Sequence, residues 1–141
     1  MSAKRRRCKD CPDTSRRPAS YPGPRCATHD RQVRRQRREA AWAQHIERTY
    51  GITADEYQTI LDAQGGKCFI CQRATGATRK LSVDHDHASG LVRGLLCRPC
   101  NKMLGHARDD SRFFDRAAGY LDRPPAHRAG VERKVPEQQE D

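Results

Sequence analysis

Residues 67–101 read KCFICQRATGATRKLSVDHDHASGLVRGLLCRPCN, and this stretch decides the fold. Cys68-x2-Cys71 and Cys97-x2-Cys100 are two thiol pairs 26 residues apart. One such pair alone could be a redox dithiol. Two pairs with folded chain between them point to one structural zinc ion that staples a small fold. All four ligands are protein groups, so this ion keeps no open coordination position and its task is geometric. Clamped beside it are Asp84-His85-Asp86-His87 on one side and Asn101 on the other. Soft ligands for a structural ion, set beside hard oxygen ligands and a base, point to a metal-dependent nuclease rather than a simple zinc finger.

Between the thiol pairs the chain reads as a hairpin. RKLSVDHDH (79–87) is the first strand, Ala88-Ser89-Gly90 the turn and LVRGLL (91–96) the return. Leu81 and Val83 alternate with polar neighbours, as a half-buried strand requires, and Gly90 can take a positive φ in the turn. Pro99 can open a helix running through Asn101 to about Leu104, with Gly105 ending it. Phe69 and Ile70, inside the first knuckle, are expected to face a small core around the zinc. The expected fold class is small α+β: a zinc-stapled hairpin-plus-helix module with flanking helices.

Asp84 and Asn101 offer oxygen ligands suited to magnesium or manganese, and two protein ligands leave room for waters and a phosphate. Imidazole changes charge near neutral pH, so His85 suits a general base that deprotonates water. In an extended strand Asp84 and Asp86 share one side and His85 and His87 the other, unless the backbone bends. His87 then holds the scissile phosphate or orients the site; otherwise it is a surface histidine. Asp86 either orients a histidine or braces the loop, and Arg93 either contacts the phosphate backbone from the return strand or, as its position favours, is a solvated strand residue. The expected reaction is in-line attack of water on phosphorus, leaving a 5'-phosphate and a 3'-hydroxyl.

Bulk numbers bound the rest. The chain has 141 residues, 35% hydrophobic and 33% charged, with 10 Gly and 8 Pro. So polar a chain needs bound metal to stabilise it. No apolar run approaches the roughly 18 residues of a membrane span. MSAKRRRCKDC carries no apolar stretch after its basic residues, so no secretory signal is expected. A reducing, cytoplasmic compartment follows, where paired cysteines bind metal rather than each other. The net charge of +10 is lopsided: residues 1–50 hold 14 Lys/Arg against 5 Asp/Glu, and residues 51–141 hold 14 against 13. A basic front half of this kind attracts nucleic acid through counterion release.

That front half has its own ligand set. Cys8, Cys11, Cys26 and His29 flank the turn-rich PDTSRRPASYPGPR, and they either bind a second structural zinc or leave Cys26 a free thiol and His29 a surface histidine. RQVRRQRREAAWAQHIER (31–48) reads as one helix without Gly or Pro, with five arginines among its first eight residues. Trp42, Ile46 and Tyr50 make its packing stripe. The arginines read as a clamp across a duplex, or the helix as an arm against a second subunit. Gly51 caps that helix, and Thr53 with Glu56 forms a capping box for the next. Asp109 to Leu121 is a further helix, packing through Phe113, Phe114, Ala117, Ala118, Tyr120 and Leu121. The expected domains are a zinc knuckle at 1–31, an arginine-rich helix at 32–50, the nuclease-type domain at 51–122 and a disordered tail at 123–141.

YGIT-x3-Y, QGGKCFIC, LSVDHDHASGLVRGLLCRPCN and the following LG together resemble the recombination endonuclease VII family of the His-Asn-His nuclease superfamily. The resemblance runs from about Tyr50 to Leu121; CKDC and GPRCATH resemble extensions on phage and actinobacterial members. It implies a beta-beta-alpha-metal site, a four-cysteine zinc on Cys68, Cys71, Cys97 and Cys100, and a magnesium-dependent DNA endonuclease. By the same pattern Asp84 matches the metal-binding aspartate, His85 the general base, Asn101 the distal metal ligand and His87 a second active-site histidine. Some members carry a glutamate three residues after the asparagine; Leu104 stands there in this chain. The family pattern implies branched substrates such as Holliday junctions, cut by a homodimer in a bacterial host cell where the member is phage-encoded. Two other readings stay open: a nicking or double-strand endonuclease used in phage DNA packaging or homing, and a zinc-stapled DNA-binding module without chemistry.

Overall fold

A computed structural model describes residues 6–15, 17–19 and 23–135. The ends of the chain, including the last six residues of the expected tail, lie outside the described residues, as do parts of the turn-rich stretch between Cys11 and Cys26. The chain is a small α+β protein of two compact units, Met1–Asp62 and Ala63–Asp141.

The first unit begins with the basic knuckle, where Arg7 and Pro18 form an antiparallel bridge and Cys8 N–H donates to Arg17 O at 3.1 Å. Helix α1 (Ala27–Tyr50) follows. It starts four residues earlier than the arginine run suggests, because Cys26 is already its N-cap. That places Cys26 and His29 three apart on one helical face. Gly51 caps its end in the left-handed conformation, φ 69°, and its N–H donates to Glu47 O. Ile46 is buried and Trp42 stacks edge-on against Tyr57 at 4.9 Å, so the expected stripe does pack. Helix α2 (Ala54–Ala63) opens on the capping box: Thr53 N–H donates to Glu56 Oε2 at 2.7 Å and Glu56 N–H to Thr53 Oγ1 at 3.2 Å.

The second unit centres on strands β1 (Ser82–His85) and β2 (Val92–Leu96), an antiparallel pair with Val83 opposite Leu95 and Asp84 opposite Gly94. Leu81, Val83, Leu95 and Leu96 are buried. Gln64 fastens this sheet from outside. Its amide accepts from Leu95 N–H at 2.7 Å and donates to Leu95 O at 2.8 Å and Lys67 O at 2.9 Å. Gly94 leaves room for that approach, since a Cβ there would stand 2.9 Å from Gln64 Oε1 and the amide would have to shift. Asp86 closes the hairpin: its Oδ1 accepts from the N–H groups of Ala88 and Ser89, and Gly90 completes the turn at φ 75°.

Helix α3 (Arg98–His106) packs against β1. Gly105 does not stop it, as the sequence suggested; the helix runs on to His106, and the chain then turns through Arg108 and Asp109, both left-handed at φ 53° and 56°. Helix α4 (Ser111–Asp122) starts two residues later than expected, capped by Asp110, which accepts from Arg112 N–H. Its apolar face buries no residue: Tyr120, Leu121, Ala117 and Ala118 are exposed and Phe113 and Phe114 half-buried. Phe69 and Ile70 are exposed too, Phe69 by 67%, because the knuckle turns its backbone rather than its side chains toward the sulfurs. Pro124 and Pro125 open a further helix. Short α5 (Pro125–Arg128) stands inside the stretch expected to be a disordered tail, with Pro125 pre-set for the first helical turn. No helix among the described residues is long and apolar enough to cross a membrane.

Candidate active site

Two clusters of soft ligands form without disulfides, all seven cysteines being free thiols. Cys68, Cys71, Cys97 and Cys100 bring their ligand atoms within 4.8 Å of one another, as do Cys8, Cys11, Cys26 and His29. In the N-terminal cluster His29 Nδ1 lies 3.3 Å from Cys8, 3.4 Å from Cys11 and 3.5 Å from Cys26. Cys26 and His29 are therefore partners in one cluster and not a stray thiol and a surface ring.

Both clusters are built alike. A CxxC loop supplies two ligands, and a helix start supplies two more at positions i and i+3: Cys26 and His29 on α1, Cys97 and Cys100 on α3. Backbone N–H groups of Ala74 and Arg73 pull the Cys71 thiol down to about 6. Burial pushes Cys100 up to about 12, with Cys97 adding to it. Burial opposes ionisation of Cys8 as well, but the backbone at Cys26 and the His29 ring bring it down to about 6. Thiols this close cannot all ionise unless a cation sits among them. Each set could hold zinc, a soft tetrahedral ion matched to three or four thiolates.

The polar cluster sits at the far end of β1. Asp84 is buried, its side chain only 8% exposed. Between Asp84 and His85 the register slips, so that Asp84 faces Gly94 while His85 faces Val92. Arg93 is the extra residue of this bulge, which turns its side chain back onto the strand. Its Nε donates to Asp84 Oδ2 at 2.7 Å and its Nη2 to Oδ1 at 3.1 Å, a two-point grip on the buried carboxylate. Arg93 is thus an ion-pair partner and not the solvated strand residue its position suggested. Hydrogen bonds to Asp84 and then Asp109 push its pKa still higher than that of an ordinary arginine.

The network continues. Arg93 Nη2 also donates to Asp109 Oδ1 at 2.9 Å, and Asp109 Oδ2 lies 3.0 Å from His87 Nδ1. The rings of His87 and His85 have centroids 4.8 Å apart. The His87 ring and Arg93 hold the Asp109 carboxyl below the usual carboxylate range. Asp86 stands apart as the turn cap, its carboxyl lowered by the backbone and hydroxyl of Ser89 and by Ala88. Asn101 follows Cys100 on α3, the helix that packs on β1. Asp109 escaped sequence reasoning altogether, since nothing in its local pattern marks a contact with a histidine 22 residues earlier. For Arg93 there was one usable cue, the glycine that follows it in the strand.

Comparison with known proteins agrees with this architecture. The family model for recombination endonuclease VII matches residues 43–123, just over half of the chain. The chain is 55% identical over 139 residues to the Gene 59 protein of Mycobacterium phage L5, covering 94% of this chain and 84% of the relative. To the Gene 59 protein of Mycobacterium phage D29 it is 53% identical over 139 residues, covering 94% and 83%. The chain belongs to the recombination endonuclease VII family.

Proposed function

We propose that this nuclease is a magnesium- or manganese-dependent DNA endonuclease of the His-Asn-His type, which hydrolyses phosphodiesters of branched DNA to 5'-phosphate and 3'-hydroxyl ends. The observation that carries the reading is Asp84: a buried carboxylate at a bulged strand end, next to His85 and gripped by a cation. A buried carboxylate needs positive charge, which Arg93 supplies here and which a divalent ion would supply in its place. The hard oxygens of Asp84 and Asn101 suit a divalent ion that retains waters, and they would hold it. When bound, that ion supplies charge neutralisation at the phosphoryl and leaving oxygens.

The protein's own groups do the rest. His85 takes a proton from water, which attacks phosphorus in line with the 3'-oxygen. His87, held at Nδ1 by Asp109, orients the site from beside His85. The zinc-stapled knuckle fixes α3, and so Asn101, against β1. Residues 51–122 then act as the cutting domain, while the knuckle at 1–31 and the arginine-rich helix at 32–50 hold the DNA backbone; residues 123–141 form a tail. A homodimer would put two sites on one junction, in the cytoplasm of a phage-infected bacterium.

Gel cleavage with magnesium tests this, using a four-way junction, its matched linear duplex, and His85→Ala as control. Paired cuts at the junction, abolished in His85→Ala with zinc content unchanged, are expected. Equal nicking of both substrates would replace junction cleavage with general endonuclease activity. Bound but uncut DNA would leave a zinc-stapled binding module.

A further inference from the structure

Asp109 stands outside every motif that marks the site, yet it joins two of the site's side chains. One carboxylate oxygen accepts from Arg93 at 2.9 Å and the other faces His87 Nδ1 at 3.0 Å. It is 21% exposed, and its backbone is pinned where α3 ends: Asp109 N–H donates to Leu104 O, Arg108 N–H to Gly105 O and Asp110 N–H to Ala107 O. Ala107 is buried, which fixes the turn from below. Two consecutive non-glycine residues with positive φ are uncommon. Such a turn persists where its surroundings over-determine it. Here it delivers one carboxylate to two donors on the hairpin.

We propose that Asp109 is a positioning residue for the hydrolysis. It fixes His87 in the tautomer with hydrogen on Nδ1, leaving the Nε2 lone pair to accept a hydrogen bond from the attacking water. This rests on the nuclease reading above. The physical reason is that a histidine ring has two nitrogens, and the partner of one decides the role of the other. A carboxylate on Nδ1 is the arrangement that orients working histidines elsewhere in protein chemistry. Its other oxygen accepts from Arg93 Nη2, which anchors the carboxylate in front of the ring. An amide cannot replace it fully: Asn at this position has one acceptor oxygen for two donors.

The test is a double-mutant cycle on the full chain, with Asp109→Ala and His87→Ala singly and together, measured as DNA cleavage with magnesium. Asp109→Ala is expected to lower kcat about 10- to 100-fold, the usual cost of losing a supporting partner, while KM changes little. In the His87→Ala background the same substitution is expected to cost less than about 3-fold, because it acts through that ring. Equal losses in both backgrounds would overturn the proposal, as would an unchanged kcat. If Asp109→Ala melts or loses zinc, Asp109→Asn takes its place in the cycle. Nitrogen-15 NMR of the His87 ring gives a readout independent of turnover. Hydrogen on Nδ1 in the wild type, redistributed toward Nε2 in Asp109→Asn, is expected, and an identical tautomer in both would overturn the proposal. A wild type that binds but cuts no DNA overturns the nuclease reading; a wild type that cuts with independent losses overturns only the role of Asp109.

Discussion

Asp84 and Arg93 pose the sharpest energetic question among single residues. A carboxylate with 8% of its side chain exposed needs a partner, and the guanidinium offers two hydrogen bonds to it. Arg93 itself is 33% exposed, so solvent screens part of the attraction. Removing it still strands the carboxylate, which costs about 1–3 kcal/mol for an unsatisfied buried acceptor. Arg93→Ala should therefore lower the melting temperature of the protein. Manganese should restore part of that loss, since a divalent ion on Asp84 supplies the missing positive charge. In the wild type the ion must compete with Arg93, so its stabilising shift should be smaller. Equal manganese shifts in wild type and Arg93→Ala, read by thermal melting, would show that the guanidinium and the ion do not share Asp84.

At the scale of elements, two knuckles and a hairpin explain how so polar a chain folds. Each knuckle ties a loop to the first turn of a helix, and hydrogen bonds hold the loop thiols Cys8 and Cys71 in favour of thiolate. The Cys71 thiol titrates at about 6 in the fold against about 8.5 in an open chain. Its contribution as a thiolate is complete above the higher value and lost as pH falls through the lower one. Zinc should therefore leave the protein on acidification from pH 7.5 to about 5, as protons take the ligands. Melting temperature should fall along with bound zinc, and chelation at pH 7.5, or Cys68→Ser, should produce the same loss of the second unit. A melting temperature that stays flat across this range, or in Cys68→Ser, would refute zinc as the staple. These knuckles were legible in the sequence because ligand spacing is local, and so were the capping box of α2, the Gly51 cap and the Gly90 turn. What was not legible depends on packing. Arg93 reaches Asp84 only because a bulge adds a residue to β2, and Asp109 meets His87 only because α3 runs past Gly105. Phe113 to Leu121 do have helical periodicity, but periodicity does not say whether another surface is present to cover it.

At the scale of the whole molecule the charge is lopsided, and the proposed function assigns holding DNA and cutting it to different parts of the chain. Five arginines lie between Arg31 and Arg38, all exposed, in a helix segment whose only half-buried side chain is Val33. Arg34 already has a partner in Asp30 at 2.8 Å, an exposed i,i+4 pair that a phosphate can replace at little cost. A helix solvated nearly all round is not held there by a core; its charge is its asset. The family match begins at residue 43, beyond this run, whereas the cluster around Asp84 and His85 lies within the match. Replacing Arg34, Arg35, Arg37 and Arg38 together with Gln should leave the helix intact, since glutamine is also a good helix former. DNA affinity should drop, and the slope of log affinity against log salt should shrink by about 0.9 for each arginine that neutralises a phosphate of duplex DNA. At saturating DNA the cleavage rate should stay within about 2-fold of wild type, because binding made equally before and during the reaction changes KM and not kcat. The pair of measurements, a salt titration of binding and a saturation curve of cleavage, decides the matter. An unchanged salt slope would remove the arginine helix from the DNA interface, and a collapse of kcat with an unchanged slope would make it part of the cutting machinery instead.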